Sequence, residues 1–261
     1  MVERQQREKD KVTKTIKEAL AGNTYPGRGI IVGTTPSGTM ALAYFIMGRS
    51  VNSRNRVLVE DDGAIFTRPV DLALVSDPSL IIYAALRTSG DVTVLTNGDQ
   101  TDTIVSAIAD LQTFIAEYPE TPLPDAAAEE FTSLVTECFD DALRTRTFEP
   151  DAPNFTSRIS ALVQPGIYAL SQLRENHGTT LRAFWEYEST PGLAHLIHTY
   201  AGDGNPLPAF TGEPVEIAIG DDQTAWTNDI WAALDADNRI SLMTRFIPVS
   251  GAPITTIINR F

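Results

Sequence analysis

Cysteine is almost absent from this chain: Cys138 stands alone among 261 residues, which excludes an intrachain disulfide and any thiolate metal cluster. It falls on the apolar face of a predicted helix and reads as a buried structural thiol. Histidine is nearly as scarce, with three in all. His195 and His198 lie three apart in a predicted strand and so point to opposite faces, which leaves no metal site. His198 and Tyr200 share a face and are candidates to line a pocket. Long apolar runs are missing too. Nothing approaches the roughly 20 residues of a membrane span, and the charged run Glu3 to Lys17 lacks the apolar core of a signal peptide; the expectation is a cytosolic protein with no membrane partner. Basic side chains are outnumbered, 20 Lys and Arg against 34 Asp and Glu, for a formal net charge of −14. That balance argues against a nucleic-acid partner, because backbone binding needs many basic groups on one face. A small anionic metabolite needs only a local pocket.

What basic charge there is, is concentrated. Tyr25-Pro26-Gly27-Arg28-Gly29 and the run from Gly48 to Arg56 place Arg28, Arg49, Arg54 and Arg56 beside Ser50, Asn52, Ser53 and Asn55, at the ends of what read as neighbouring strands. Arginine is a planar five-donor fork suited to phosphate or carboxylate, and glycine lets backbone approach a ligand. Pairing with surface acids would account for any one of these arginines; the cluster suggests a small anionic substrate. If the run is extended, Arg54 and Arg56 share a face and Asn55 points away.

The rest of the chain reads as one domain with an appended N-terminal helix. Residues 3 to 20 have helical composition and end near Gly22-Asn23. Strands follow at Ile30 to Gly33, Ala41 to Met47, Val57 to Glu60 and Ala64 to Val70 as consecutive hairpins, then at Leu80 to Arg87 and Val92 to Thr96. Ala41 to Met47 is apolar on both faces, as in a sheet covered on both sides. Beyond Asn97-Gly98 the period becomes helical through Ile104, Ile108, Leu111, Ile115 and Tyr118, capped by Thr101 or Asp102. Pro119, Pro122 and Pro124 end it. A second amphipathic helix carries Phe131, Leu134, Val135, Cys138, Phe139 and Ala142. Strands return at Ile159 to Val163, Ile167 to Leu173, Leu181 to Glu188 and Ala194 to Tyr200. A helix at Thr224 to Leu234 precedes closing strands Ile240 to Ile247 and Ile254 to Asn259. Strand blocks around a helical pair, with one more helix late, predict an α+β layered sandwich of two packed sheets with helices outside. The boundaries expected are an N-terminal extension at 1–24 and a single domain at 25–261. The proline-rich stretch Pro119 to Asp125 is a candidate subunit contact of a homo-oligomer.

Several familiar motifs fail. Gly33 to Gly38 has the glycines of a phosphate-binding P-loop, but Thr39 stands at the lysine position and Met40 at the Ser/Thr position. Gly27-Arg28-Gly29 runs into a strand, and Val32 occupies the third glycine position of a dinucleotide fingerprint. No G-x-S-x-G elbow is present.

Four segments together carry a resemblance: Tyr25 to Arg28, Gly48 to Arg56, Thr96-Asn97-Gly98-Asp99-Gln100-Thr101-Asp102, and Phe148 to Ile159. In this order they resemble the IMP cyclohydrolase family of the archaeal type and its bacterial relatives, over roughly Tyr25 to Phe261. The resemblance implies a four-layer αββα sandwich shared with N-terminal-nucleophile hydrolases. It also implies ring closure of 5-formamidoimidazole-4-carboxamide ribotide to IMP, the last step of purine synthesis, without metal or other cofactor. The chain departs from the pattern at Ser157, where a proline is expected, and in the 24 residues before the first motif. An N-terminal nucleophile would need a freed Ser, Thr or Cys, and nothing suggests cleavage before Tyr25, so amide hydrolysis is disfavoured. The other alternative is a protein that binds a purine ribotide without turning it over. Under the resemblance the catalytic candidates are Glu149 for proton transfer, Tyr83 as donor to the formyl oxygen, and Arg49. Tyr83 is a phenol in an apolar strand and needs a partner in any case. Substrate contacts are expected from Arg28, Ser50, Arg54, Asn55, Arg56, Asn97, Gly98, Asp151, Asn154 and Arg158. Asn97-Gly98, between a strand and a helix, would present backbone amides, and Asn154 would read the carboxamide or base edge.

Overall fold

The computed structural model describes residues 13–75, 78, 81–117 and 127–261. Among these residues, thirteen strands form two antiparallel sheets. The first, of six strands, combines β1 (Arg28–Thr34), β2 (Met40–Met47), β10 (Leu193–His198), β11 (Val215–Ala218), β12 (Arg239–Ile247) and β13 (Ile254–Asn259), in the order β11-β10-β1-β2-β12-β13. The second runs in sequence order through β3 (Val57–Asp61), β4 (Ala64–Arg68), β5 (Tyr83–Ser89), β6 (Val92–Thr96), β7 (Arg158–Gln164), β8 (Ile167–Asn176) and β9 (Thr179–Glu188).

Alternation along the strands explains the layering, because successive side chains serve opposite faces. In β2, Leu42, Tyr44 and Ile46 enter the core between the sheets, where they meet Leu58, Ile65, Leu86 and Leu95. Its other residues, Ala41, Ala43 and Phe45, join an outer core with Ile16, Leu20, Trp226 and Ile230. Those come from α1 (Ile16–Ala19) and its flank, and from α5 (Gln223–Ala233). On the far face of the second sheet, α3 (Gln100–Glu117) and α4 (Ala127–Arg144) pack Ile104, Ile108, Val135 and Phe139 against Val94, Leu162 and Leu173. Three apolar interfaces separate four layers, and the αββα sandwich follows.

Several local expectations change. The strands flanking the arginine run are not neighbours: β2 belongs to the first sheet and β3 to the second, so residues 48–56 are a crossing between sheets. That run is not extended either, since Val51–Arg54 forms a single helical turn, α2, with Ser50 as N-cap and Ser53 reciprocating. The face-sharing of Arg54 and Arg56 therefore does not hold. Ahead of Tyr25, the described part of the expected 3–20 helix is helical only from Ile16, while Lys14 bridges to Ile217 at the edge of β11. Thr15 stops the helix from starting earlier by capping Glu18. Thr101 and Asp102 fall inside the first turn of α3 rather than capping it. β11 had no reading in the sequence, being four residues long at a sheet edge. Cys138 is half-buried rather than buried, on α4 beside the apolar cluster that α3 and α4 form with the second sheet. Tyr118 and the proline-rich stretch to Asp125 lie outside the described residues.

No described helix is long and apolar enough to cross a membrane, and the described residues hold no group of three or more His, Cys, Asp or Glu placed for a metal ion. His195 and His198 do face apart: His195 Nδ1 meets the Tyr168 hydroxyl at 2.6 Å, while His198 Nδ1 bonds the Tyr200 carbonyl at 2.9 Å and its ring packs on Phe210.

Two predictions follow from this packing. Phe139 is fully buried and meets Phe184 edge-on at 6.2 Å; Phe139→Ala should lower the unfolding free energy by about 3–5 kcal/mol in a urea titration. Burial pushes His198 down from 6.5 to about 4. The unfolded chain then takes up a proton that the folded chain refuses, so stability falls as pH drops from about 6.5 to 4 and is untouched above that window. The loss amounts to about 3 kcal/mol. His198→Gln should remove this component, seen as a smaller fall in the urea midpoint between pH 7.5 and 4.5 than in the wild type.

Candidate functional site

One end of the sandwich collects the segments singled out in the sequence. The chain enters β1 through Tyr25-Pro26-Gly27, crosses between sheets at residues 48–56, approaches β7 through residues 149–157, and leaves β10 through residues 199–208. These connections enclose a cavity of about 490 Å³, within the range of small-ligand sites. Its lining includes Tyr25, Arg28, Arg49, Ser50, Asn52, Ser53 and Arg56 from the first two segments, and Asp151, Asn154, Thr156 and Tyr200 from the others.

Gly27 makes the convergence possible. Its φ of +78° is costly for any residue with a side chain, and a Cβ there would lie 2.2 Å from Thr199 Oγ1 and 2.5 Å from the Tyr200 ring. The backbone thus turns tightly enough for the Pro26 carbonyl to accept the Tyr200 N–H at 3.1 Å. Tyr25 and Tyr200 stack at 6.0 Å, and Arg49 lies over the Tyr25 ring at 5.0 Å.

The cavity is electropositive. Arg28 is 8% exposed and Arg56 7%, yet one buried carboxylate faces them: Glu149, whose Oε2 lies 3.7 Å from Arg28 Nη2. Arg56 makes no salt bridge among the described residues, and its Nε is buried without a partner. Burial and the neighbouring Arg28 both pull the Arg56 guanidinium below its ordinary range. Burial also opposes the charge on Arg28, but Glu149 and the surrounding phenols outweigh it and hold Arg28 protonated. Burial pushes Glu149 up, with Arg28 pulling it back, so its carboxyl is poised to exchange a proton more readily than a surface acid.

Behind Arg28 the polar cluster continues into the core between the sheets. The Tyr83 hydroxyl meets the Tyr44 hydroxyl at 2.8 Å, both rings being buried, and burial drives Tyr44 well above the ordinary phenol range. At the opposite wall, Asp151 Oδ1 accepts the Thr156 N–H at 2.6 Å, and Asp151 Oδ2 accepts the Thr156 hydroxyl. That hydroxyl also touches the Tyr200 hydroxyl. Burial lifts Tyr200 to about 12, against the pull of Arg28.

At the mouth, half-exposed Arg49 pairs with Asp203 and donates to the Gly204 carbonyl at 3.0 Å. Ser50 and Ser53 bond each other through the cap of α2, and Asn154 Oδ1 accepts the Leu207 N–H at 3.1 Å.

Of the residues expected to meet substrate, Arg28, Arg49, Ser50, Arg56, Asp151 and Asn154 line the cavity. Glu149 and Tyr83 are one shell back, in contact with Arg28 and Tyr44 respectively. Five others are not in the lining. Asn55 spends its amide on the backbone of Asp71, giving a hydrogen bond to the carbonyl at 2.7 Å and taking one from the N–H at 2.8 Å. Arg54 ends α2 with its Nε buried outside the lining. Asn97 bonds the Ser157 carbonyl and accepts from Ile159 and Gln100, stitching β6 to β7. Arg158 binds Asp99 at 2.6 Å and Gln100 at 2.7 Å. Gly98 makes room for it: a Cβ there would lie 2.5 Å from Arg158 Nη1. Instead of offering amides to a ligand, Gly98 gives its N–H to Thr96 Oγ1 at 3.2 Å.

Tyr25, Asn52, Ser53 and Thr156 were not singled out although each lies inside a quoted segment; position in the motif was the available signal. Tyr200 was a pocket candidate on strand parity, and it lines this cavity, whereas His198 packs on Phe210. Tyr44 carried no signal, because a tyrosine in an apolar strand reads as core.

A larger cavity of about 600 Å³ occupies the opposite end of the sandwich. Arg245, the cation in its lining, is already held by Glu60, the Gly63 carbonyl and Thr255. Unbalanced positive charge is a property of the first site.

Comparison with known proteins bears on this arrangement. A family model described as IMP cyclohydrolase-like protein matches residues 25–117 and 125–251. The chain is 22% identical over 206 residues to the IMP cyclohydrolase of Methanopyrus kandleri, covering 78% of this chain and 98% of that protein. It is 30% identical over 176 residues to the IMP cyclohydrolase of Methanococcus aeolicus, covering 67% and 74%. To that of Methanococcus maripaludis it is 35% identical over 85 residues, covering 32% and 41%. With matched segments that span the cavity-forming connections from Tyr25 to Leu207, the chain belongs to the IMP cyclohydrolase-like family.

Proposed function

We propose that this protein is an IMP cyclohydrolase that closes 5-formamidoimidazole-4-carboxamide ribotide to IMP with loss of water. The observation that carries the reading is Arg56: a buried guanidinium lining a cavity, with no salt bridge among the described residues, in a chain of net charge −14. An unpaired buried charge is costly, and an anionic ligand relieves that cost.

The phosphate, the most strongly hydrated part of the ribotide, belongs at the mouth. Arg49 offers donors there beside the lining residues Ser50, Asn52 and Ser53, and Arg56 reaches it from the wall. Arg49 thereby serves binding rather than the reacting atoms, exchanging Asp203 for phosphate. The imidazole then lies toward the Arg28 and Glu149 end. Ring closure asks mainly that the carboxamide nitrogen be held against the formyl carbon, which positioning rewards strongly. Arg28 stabilises charge developing on the formyl oxygen. Glu149, with its raised affinity for a proton, takes one from the attacking nitrogen and passes it to the formyl oxygen, which leaves as water when the formamide nitrogen gives up the second hydrogen and the ring C=N bond forms. Tyr83, anchored by Tyr44, is the donor to the formyl oxygen once the cluster adjusts around substrate.

Incubation of the protein with the formylated ribotide, followed by ultraviolet absorbance of IMP, tests the activity; no IMP from the wild type would refute it. Glu149→Gln should lower kcat about 100-fold or more. By contrast, Arg56→Met should raise KM at least about tenfold with kcat much less affected, the mark of a uniform binding contact.

A further inference from the structure

We infer that Tyr200 is a specificity-determining contact that presents its phenol oxygen to the ligand as an acceptor only, and so selects a carboxamide over a carboxylate on the imidazole ring. The inference rests on the cyclohydrolase reading for the identity of the ligand; the polarity of the contact comes from the hydrogen bonds around it.

Hydrogen counting fixes that polarity. An ionised carboxylate has no proton to give. Asp151 takes two donors from one residue, the Thr156 N–H on Oδ1 at 2.6 Å and the Thr156 hydroxyl on Oδ2. A threonine hydroxyl has a single hydrogen, and this one is spent on Asp151. In its contact with Tyr200 the Thr156 oxygen must therefore accept, and the Tyr200 O–H must donate. The phenol's only hydrogen is then used as well. Tyr200 lines the cavity with nothing left but lone pairs.

The arrangement is rigid enough to hold. Thr156 is 1% exposed and Tyr200 3%. The Tyr200 ring is stacked on Tyr25, and Gly27 admits its edge where a side chain would not fit. Its backbone is tied as well, the carbonyl accepting from Asn23 Nδ2 at 3.0 Å and the N–H donating to Pro26. Rotation of the phenol away from Thr156 would cost two buried hydroxyls the hydrogen bond between them.

The consequence for recognition opposes the charge of the site. Arg28, Arg49 and Arg56 line the same cavity and by electrostatics alone would favour a ring carboxylate, which carries one more negative charge than the carboxamide. An acceptor-only oxygen meets the carboxamide N–H as a hydrogen bond and a carboxylate oxygen as a repulsion. Sites built on such polarity discriminate strongly because the wrong group leaves a buried partner unsatisfied. Tyr200 touches substrate in this assignment, whereas Thr156 and Asp151 are positioning residues.

The test is isothermal titration of 5-aminoimidazole-4-carboxamide ribotide and 5-aminoimidazole-4-carboxylate ribotide, which differ at this group, into the wild type, Thr156→Val, Thr156→Ser and Tyr200→Phe. The wild type should prefer the carboxamide at least about tenfold. Thr156→Val frees the phenol to donate and should bring the preference below about threefold or reverse it. Thr156→Ser restores the hydroxyl and should keep the preference. If Thr156→Val does not fold by thermal melt, Tyr200→Phe must lose the preference in its place. Equal affinities in the wild type, or a preference unchanged in Thr156→Val or Tyr200→Phe, would overturn the inference and leave the cyclohydrolase reading standing. Binding of neither ribotide by the wild type would overturn both.

Discussion

The site is organised around a shortage of negative charge. Arg28 and Arg56 are buried at the end of a sandwich in a strongly acidic protein, and the carboxylate within reach of Arg28 is Glu149, itself buried and 3.7 Å away. Buried ions are tolerated only when paired or when a ligand completes them. The rest of the architecture at this end maintains that imbalance. Asp203 reaches half-exposed Arg49 at the mouth but not the two buried arginines, while Asp151 is occupied by Thr156. Asp99 is drawn off by Arg146 and Arg158. These acids are thus committed to other partners.

The fold explains why the cavity lies where it does. Two sheets packed face to face fill their interface with alternating side chains, so open space survives mainly at the ends, where connections replace strands. The first crossing between sheets, residues 48–56, bridges that gap and carries Arg49 and Arg56 with it. At the far end the corresponding space holds a guanidinium already satisfied by Glu60, Gly63 and Thr255. Two cavities of similar size therefore differ in electrostatic character, and charge rather than volume separates them.

Two hydroxyl systems lie near Arg28, one in the core behind the cavity and one in its lining. Tyr83 and Tyr44 form a phenol pair in which either can donate. Tyr200 has no such freedom, because Thr156 and Asp151 consume its hydrogen.

Periodicity and composition by themselves determined the layers. Ala41 to Met47, apolar at every position, requires a strand covered on both faces, and the helical spacing from Ile104 to Ile115 requires a helix with one buried stripe; both requirements are local, set by the direction of Cβ atoms along the backbone. Clustered arginine likewise marked the segments at Tyr25 and Gly48, whereas those around Thr96 and Phe148 were marked by the family resemblance. What those segments could not reveal is which of their polar residues turn inward. Asn55, Asn97 and Arg158 are as polar as Arg28 and Asn154, yet the first three are consumed by Asp71, Ser157 with Ile159, and Asp99 with Gln100. Those partners lie up to 62 residues away in sequence, so only the tertiary structure decides between a structural hydrogen bond and a free donor. Tyr44 and Tyr200 make the same point in reverse. A tyrosine within an apolar strand carries no local sign of what its hydroxyl will meet, since that partner is supplied by the opposite sheet or by a loop that folding brings alongside.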